Sequence, residues 1–257
     1  MDKKNLFDLT GRVAVVTGAS SGLGVQMAKA FARQGADLVI MARRKEKLEA
    51  VAEEIRKLGV KCLPIQCDVT DTEAVNRAAE ITEKEFDKID ILVNNAGNGH
   101  VGPAIDTTDE DWASVINLDL SSVFKVSRAF AKIMMKNKYG RIINITSMYG
   151  LVGNMALPSA GYHAAKGGAI NLTRALAAEW APYGITVNSI CPGYFATELT
   201  ADTLKTEEFS QYMKATVPLG RYGREGELDA AAVFLASDAA SYVTGIALPV
   251  DGGYTCV

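Results

Sequence analysis

The pattern of apolar and polar positions alternates along the chain between short β-branched runs and longer segments with helical spacing. The runs are apolar at consecutive positions, as in VAVV, which is typical of strands buried on both faces. Such strands, alternating with helices, predict an α/β fold with a parallel sheet and helices on both faces. We expect one domain over residues 1–257, with six main helices and seven strands, at 12–17, 37–42, 61–66, 90–95, 141–146, 185–190 and 245–250.

Residues 194–216 interrupt this alternation. The segment is polar and follows the predicted strand at 185–190. Polar connections beside strand ends often close over a binding site, so this segment is predicted to form a substrate lid.

Composition narrows the class of protein. The chain has 257 residues and a net charge of −3, which argues against a nucleic-acid partner. We expect neither a signal peptide nor a membrane span, because no apolar run approaches about 18 residues. The four cysteines lack CxxC spacing and only two histidines accompany them, so we expect no metal site. Free thiols fit a reducing compartment, and a cytoplasmic location is predicted.

A glycine-rich turn lies between the first predicted strand and the first predicted helix. Gly18, Gly22 and Gly24 stand there in TGASSGLG, with GxxxGxG spacing. Small residues at this place let the backbone approach a pyrophosphate, which then lies at the helix N-terminus. Strand–helix packing alone is the alternative, because tight turns of this kind often serve only that purpose.

The end of the second predicted strand favours NADP(H) as the cofactor. An NAD-binding fold usually has an acidic residue about 20 positions after the first glycine, to hold the ribose 2′-hydroxyl. The sequence here is MARRK, with Arg43 and Arg44 and no carboxylate. Guanidinium groups suit a 2′-phosphate. NAD(H) is the alternative cofactor, with both arginines then only solvated residues at the start of a charged helix.

Tyr162 and Lys166 are four positions apart in YHAAK, so they share one helix face. A free tyrosine has a pKa near 10, and an ammonium group within about 4–6 Å favours its phenolate. Ser147 follows the strand predicted at 141–146, and ligands bind at such strand ends in open parallel sheets. These residues could form an acid/base site that opens on the sheet edge. Ordinary packing plus a solvated amine is the alternative.

These features together resemble the short-chain dehydrogenase/reductase family over essentially the whole chain. The matching motifs are TGASSGLG at 17–24, Asp68–Val69, NNAG at 94–97, Asn117, Ser147, YHAAK at 162–166 and PGYFAT at 192–197. The resemblance implies a single-domain Rossmann fold. It also implies an enzyme that interconverts a secondary alcohol and a ketone by hydride transfer.

The resemblance also implies roles for individual residues. Tyr162 would be the general acid/base, Lys166 would hold the nicotinamide ribose and lower the tyrosine pKa, and Ser147 would bond the substrate oxygen. Asn117 would anchor a water in a proton relay. With the two arginines included, the expected cofactor-binding residues are Gly18, Ser20, Ser21, Gly22, Leu23, Gly24, Arg43, Arg44, Asp68, Val69, Asn95, Ala96, Gly97, Tyr162, Lys166, Pro192, Gly193 and Thr197.

The substrate pocket is expected to come from residues 98–103, 148–158 and the lid. The residues expected to bind substrate are Asn98, His100, Ser147, Tyr149, Asn154, Tyr162, Tyr194 and Phe195. Because these segments are mostly apolar and NNAGNGHVGPAID contains no Lys or Arg, an apolar hydroxysteroid or bile acid is favoured.

Other substrates and roles remain open at this point. A sugar acid, as in gluconate 5-dehydrogenase-like members, and a 3-oxoacyl-carrier-protein substrate are alternatives. A non-catalytic NADP(H) sensor is a further one, although all four reacting residues are intact. Family members usually form homotetramers, and we expect the same here.

Overall fold

One parallel sheet organises the molecule. The computed structural model describes residues 5–99, 101–154, 157–197 and 206–257. All six strand pairs of this sheet are parallel, and the spatial order is β3-β2-β1-β4-β5-β6-β7. The strands are β1 (Val13–Thr17), β2 (Asp37–Ala42), β3 (Cys62–Gln66), β4 (Ile91–Asn94), β5 (Gly140–Ile145), β6 (Ile185–Pro192) and β7 (Ala247–Val250). The predicted seven-stranded Rossmann-like α/β domain is confirmed.

Eight α-helices lie within the described ranges, two more than the six main helices expected. The predicted helical stretch at 109–137 is divided by a π-helical turn at Asn117–Ser121. A further helix lies in the segment expected to be only a polar lid. The helices are α1 (Gly22–Arg33), α2 (Lys45–Arg56), α3 (Thr72–Phe86), α4 (Asp109–Ile116), α5 (Ser122–Asn137), α6 (Ala160–Trp180), α7 (Glu207–Thr216) and α8 (Asp229–Ala236).

Alternating strand residues feed two separate cores, one on each face of the sheet. Ala14 and Val16 of β1 belong to a cluster that includes Phe31 of α1, together with side chains from α2 and α8. The intervening β1 residue Val15 packs in the opposite cluster, beside Phe130 of α5 and side chains from α3 and α6. Burial on both faces explains why the strands are apolar at consecutive positions.

The strand order places the binding crevice at the middle of the sheet. β1 and β4 are neighbours, with Val16 paired to Val93. After β1 the chain continues into α1 on one face, and after β4 it continues into the helices packed on the other face. A crevice therefore opens at the carboxyl ends of these two strands, which is where open α/β sheets bind ligands.

The predicted lid at 194–216 is only partly described. Residues 198–205 of this segment, like His100 and residues 155–156, lie outside the described ranges. From Thr206 the chain is helical, and the Thr206 hydroxyl accepts a hydrogen bond from the Phe209 amide at 3.2 Å, capping α7. This cap explains why a polar stretch forms a helix here. Across the described parts of the chain, no helix combines the length and apolarity that a membrane span requires.

Candidate active site

The glycine turn after β1 packs directly against the loop after β4. Gly18 has φ +66°, and a Cβ there would come within 2.8 Å of the Ala96 Cα. The Asn95 side-chain amide donates to the Thr17 carbonyl at 3.0 Å, and the Thr17 hydroxyl accepts the Asn95 and Ala96 amides at 3.0 Å. These bonds hold the turn open at the N-terminus of α1, where backbone amides can receive a phosphate.

A cavity of ≈ 470 Å³ extends from this turn to the end of β2. Arg43 and Arg44 line it, and Arg44 donates to the hydroxyls of Ser20 at 3.1 Å and Ser21 at 2.6 Å. Asp68 lies at the far wall of this cavity. A hydrogen bond from the Thr70 backbone amide lowers the pKa of Asp68, although burial partly opposes this. The Thr70 hydroxyl and Arg43 lower the same pKa further. Two guanidinium groups therefore face the part of the groove where a ribose phosphate would lie.

A second cavity of ≈ 350 Å³ holds the residues expected to react, Ser147, Tyr162 and Lys166. It shares lining residues with the first cavity, among them Gly18 and Gly97, so the two form one groove across the sheet edge. Ser147 follows β5, and its hydroxyl oxygen accepts the Tyr149 amide at 3.1 Å. The Ser147 hydroxyl proton can therefore be donated to a bound oxygen.

Lys166 is fully enclosed beneath this second cavity. Its ammonium lies 5.4 Å from the centre of the Tyr162 ring and donates to the Ile145 carbonyl at 3.1 Å. Burial alone would lower the pKa of Lys166. The negative charges that Tyr162 and Asp119 can carry outweigh burial, so the net shift of this pKa is upward. Lys166 is thus held as a cation within range of the phenol.

The water-anchoring role expected of Asn117 stays a prediction, because its side chain does not point into the site. Its side chain is exposed, and its amide oxygen accepts from Lys125 at 3.2 Å, away from both cavities. The polar residue that the π-helical turn sends inward is Asp119, whose carboxylate lies 3.1 Å from the Lys166 ammonium. One π turn therefore presents position 119 to the site and position 117 to solvent. The sequence reasoning missed Asp119, and its one signal was a lone acid between the apolar residues of INLDL.

A cluster of phenol groups closes the other side of the second cavity. Tyr149 and Tyr194 line it, and their hydroxyls are hydrogen-bonded to each other. The Asn154 amide donates to the Tyr149 hydroxyl. Behind them, the Tyr212 hydroxyl lies 3.5 Å from that of Tyr194 and 3.4 Å from that of Tyr254. We call these five residues the tyrosine wall.

Nearly all the other residues expected at the site line one of the two cavities. Gly24 does not, because it packs against Gly18 and Asn95, where a Cβ would come within 2.6 Å of both. Asn154 acts through Tyr149, and His100 lies outside the described residues. The predicted residues lining the groove are Gly18, Ser20, Ser21, Gly22, Leu23, Arg43, Arg44, Asp68, Val69, Asn95, Ala96, Gly97, Asn98, Ser147, Tyr149, Tyr162, Lys166, Pro192, Gly193, Tyr194, Phe195 and Thr197.

Comparison with known proteins agrees with this geometry. A family model described as enoyl-(acyl carrier protein) reductase matches residues 18–255. A galactitol 2-dehydrogenase (L-tagatose-forming) from Cereibacter sphaeroides is 42% identical over 255 residues, with 99% of each chain covered. A gluconate 5-dehydrogenase from Gluconobacter oxydans is 40% identical over 256 residues, again with 99% of each chain covered. The crystal structure of a gluconate 5-dehydrogenase from Burkholderia cenocepacia, in complex with NADP and tartrate, matches with a TM-score of 0.93 at 38% identity, covering 98% of each chain.

The crevice is Rossmann-like, and it joins a glycine turn to Ser147, Tyr162 and Lys166 near the strand ends. This arrangement defines an oxidoreductase acting on CH–OH groups. The chain belongs to the short-chain dehydrogenase/reductase family. The resemblance inferred from its motifs is confirmed.

Proposed function

We propose that the chain is an NADP(H)-dependent oxidoreductase that interconverts a neutral polyol and its ketose. The observation that carries this proposal is the tyrosine wall, two members of which, Tyr149 and Tyr194, line the same cavity as Ser147 and Tyr162. A sugar presents hydroxyls along its whole length, and each needs a partner when it leaves water. A hydroxyl-rich wall matches that requirement, whereas a steroid nucleus would make no hydrogen bond to these hydroxyls and would leave them only one another as partners.

The two phenols of the wall that line the cavity, those of Tyr149 and Tyr194, stay neutral across the physiological range. Burial raises the pKa of Tyr149 to about 12, and it raises the pKa of Tyr194 further above its ordinary value. A neutral phenol can both donate and accept, which is the capacity that a sugar hydroxyl also has. The pocket expected for a hydroxysteroid or bile acid therefore has two hydroxyl groups, those of Tyr149 and Tyr194, on the side opposite the reacting residues, and this favours a hydroxyl-bearing substrate.

Charge separates a neutral sugar from a sugar acid. Of the described residues that line the reacting cavity, the single Lys or Arg is Lys166, whose ammonium already faces Asp119 and the Ile145 carbonyl. Arg221, in a small cavity behind Tyr194, is paired with Glu227 at 2.7 Å. A substrate carboxylate would want a cation that these residues do not offer. The galactitol 2-dehydrogenase relative supports a neutral polyol, and the gluconate 5-dehydrogenase relative makes the sugar acid the second candidate.

The groove fits a dinucleotide with a 2′-phosphate. Arg43 and Arg44 stand at the adenosine end, and Ser20 and Ser21 hold the Arg44 guanidinium. A related gluconate 5-dehydrogenase was crystallised with NADP, which supports the same choice for this chain. When bound, NADPH supplies the hydride that reduces a carbonyl carbon.

The chain's own residues handle the oxygen and the proton. The Ser147 hydroxyl donates a hydrogen bond to the carbonyl oxygen and fixes its direction. Tyr162 donates its phenolic proton to that oxygen, so the product is a neutral secondary alcohol. Lys166 stabilises the phenolate that remains, and Tyr162 is then reprotonated from solvent. Oxidation of the alcohol follows the same path in reverse.

A substrate panel tests the proposal. Initial rates of NADPH oxidation would be compared for tagatose, a 5-keto-gluconate, an acetoacetyl thioester and a 3-ketosteroid, with galactitol and gluconate tested in the reverse direction. We expect the largest kcat/KM for the neutral ketose and polyol. Higher kcat/KM for the steroid or the thioester would overturn the proposal, and higher kcat/KM for the acid pair would favour the second candidate.

Homotetramer formation and a cytoplasmic location stay predictions. Trp112 and Phe124, on α4 and α5, are 44% and 40% exposed, which supports burial of this helix pair against another copy. Light scattering on the purified protein would give the mass of the assembly.

A further inference from the structure

Asp119 is a buried carboxylate that the steps above do not use. Its side chain is 0% exposed, and it lies in the π-helical turn Asn117–Ser121. One carboxylate oxygen faces the Lys166 ammonium at 3.1 Å, and the other accepts the Asn98 amide at 3.3 Å. Burial raises the pKa of Asp119, while the Lys166 ammonium and the Asn98 amide act in the opposite direction and favour the ionised form. The close pairing explains how it can be there.

Gly97 leaves the space that this carboxylate occupies. A Cβ at Gly97 would come within 2.5 Å of an Asp119 oxygen and 3.2 Å of the Lys166 ammonium. The same glycine lines both parts of the groove. The ion pair therefore stands directly beneath the place where the two halves of the groove meet.

Among the residues that the structure describes, few charges lie around the Lys166–Tyr162 pair, so a single carboxylate there has a large influence on it. The titratable groups that face Lys166 are Tyr162 on the same helix, Asp119 on the π turn and Cys191 on β6. Tyr149, on the turn after β5, faces Tyr162. Of these, Lys166 and Asp119 form the ion pair, and their charges have opposite effects on a phenolate at Tyr162.

We propose that Asp119 is a positioning residue that fixes the Lys166 ammonium and offsets part of its charge, so that Tyr162 keeps its proton to higher pH. The consequence for catalysis rests on the proposed role of Tyr162 as proton donor. An enzyme with this pair holds the protonated phenol, the form that ketone reduction requires, over a wider pH range. Alcohol oxidation, which begins from the phenolate, is confined to more alkaline conditions.

Asp119→Asn tests this charge effect with little change in shape, because the amide oxygen can still accept from Lys166. The first measurement uses the protein without cofactor. Ionisation of Tyr162 is followed at 295 nm as the difference between each protein and the same protein carrying Tyr162→Phe. We expect the midpoint to move down by about one pH unit in the Asp119→Asn background, because a neighbouring like charge has been removed. An unchanged or higher midpoint overturns the proposal.

The second measurement is the pH profile of kcat/KM for alcohol oxidation. The pH of half-maximal rate should fall by about the same one unit in Asp119→Asn. Asp109→Asn is the matched control, because it makes the same change of charge at the exposed start of α4 and should leave the profile in place. A uniform loss of rate without a shift would show a merely structural role and overturn the proposal.

Two provisions separate a failure of the variant to fold, and a failure of the proposed function, from a failure of this proposal. If Asp119→Asn does not fold, Asp119→Ser offers a smaller neutral acceptor to Lys166, and the same shifts are expected of it. If no alcohol or ketone is turned over, the proposed function fails, but the 295 nm titration still decides whether Asp119 controls the ionisation of Tyr162.

Discussion

Gly97→Ala is expected to destabilise the fold through the buried ion pair. The added methyl group would lie 2.5 Å from an Asp119 carboxylate oxygen and 3.2 Å from the Lys166 ammonium. The first distance is shorter than real Cβ contacts, the second is tighter than most of them, and both neighbours are almost fully buried. The Asp119 carboxylate must therefore shift within a packed interior, which disturbs its pairing with Lys166.

The size of the effect follows from this geometry. Inserting one methyl group into a packed interior typically costs about 1–3 kcal/mol. Here the displaced atoms belong to a buried ion pair, so we expect a value near the upper end, about 2–3 kcal/mol. For a chain of this length that corresponds to a fall of roughly 4–12 °C in Tm.

Urea unfolding at pH 7 measures the loss, with Gly153→Ala as the matched control. A Cβ at Gly153 would meet nothing within 4 Å, so its free energy of unfolding should stay within about 0.5 kcal/mol of the wild type. A double-mutant cycle with Asp119→Ala should show that Gly97→Ala is less harmful once the carboxylate is gone. If Gly97→Ala is as stable as the control, the described packing around Asp119 and Lys166 is wrong.

Three further predictions concern the two ends of the groove and the base of the sheet. Arg44→Ala should lower kcat/KM for NADPH by about 30-fold, the equivalent of about 2 kcal/mol for a hydrogen bond to a charged group, while kcat/KM for NADH stays within about twofold. Tyr194→Phe should lower kcat/KM for the ketose by about tenfold, because one hydroxyl partner is lost, while kcat/KM for a thioester substrate should stay unchanged. Asp238 accepts from Tyr139 at 2.9 Å and from Arg141 at 3.3 Å. Burial alone would raise the pKa of Asp238. Tyr139, Arg12 and Arg141 outweigh burial and hold this pKa below its ordinary value of 3.8. Asp238→Asn should therefore lower the unfolding free energy by up to about 1 kcal/mol at pH 7, and urea titrations should show this difference vanishing as the pH falls below 3.8 through the depressed pKa.

The strands were predictable because burial on both faces leaves a local pattern. Each predicted run overlaps its observed strand, and no boundary differs by more than two residues: β6 ends at Pro192 instead of residue 190, and β7 begins at Ala247 instead of residue 245. The glycine turn and the pair Tyr162–Lys166 were predictable for a similar reason, because each depends on spacing within one turn or one helix. Such features need no knowledge of what packs against them.

Asp119 shows where sequence spacing fails. An unbroken α-helix over 109–137 would not indicate which polar side chain of INLDL turns inward. The π turn at Asn117–Ser121 changes the angle between successive residues, and this directs Asp119 to Lys166. The decisive contact lies 47 positions away in the sequence, so no local pattern records it.

The tyrosine wall was missed as a unit for the same reason. Tyr149 and Tyr194 were expected at the pocket, but Tyr212 comes from α7 and Tyr254 from the turn near the C-terminus. Four distant segments contribute one cluster of hydroxyls. Taken singly, each aromatic residue was consistent with an apolar pocket, and this is why the sequence favoured a steroid over a sugar.

The most direct test of the central claim is the rate of ketose reduction by Tyr162→Phe. The substitution keeps the ring and removes the one proton that the site is proposed to donate. We predict that kcat/KM for tagatose with NADPH falls by about 10²–10⁴-fold, while NADPH binding measured by fluorescence stays within a few-fold. Reduction of tagatose by Tyr162→Phe at a rate close to that of the wild type would contradict the account.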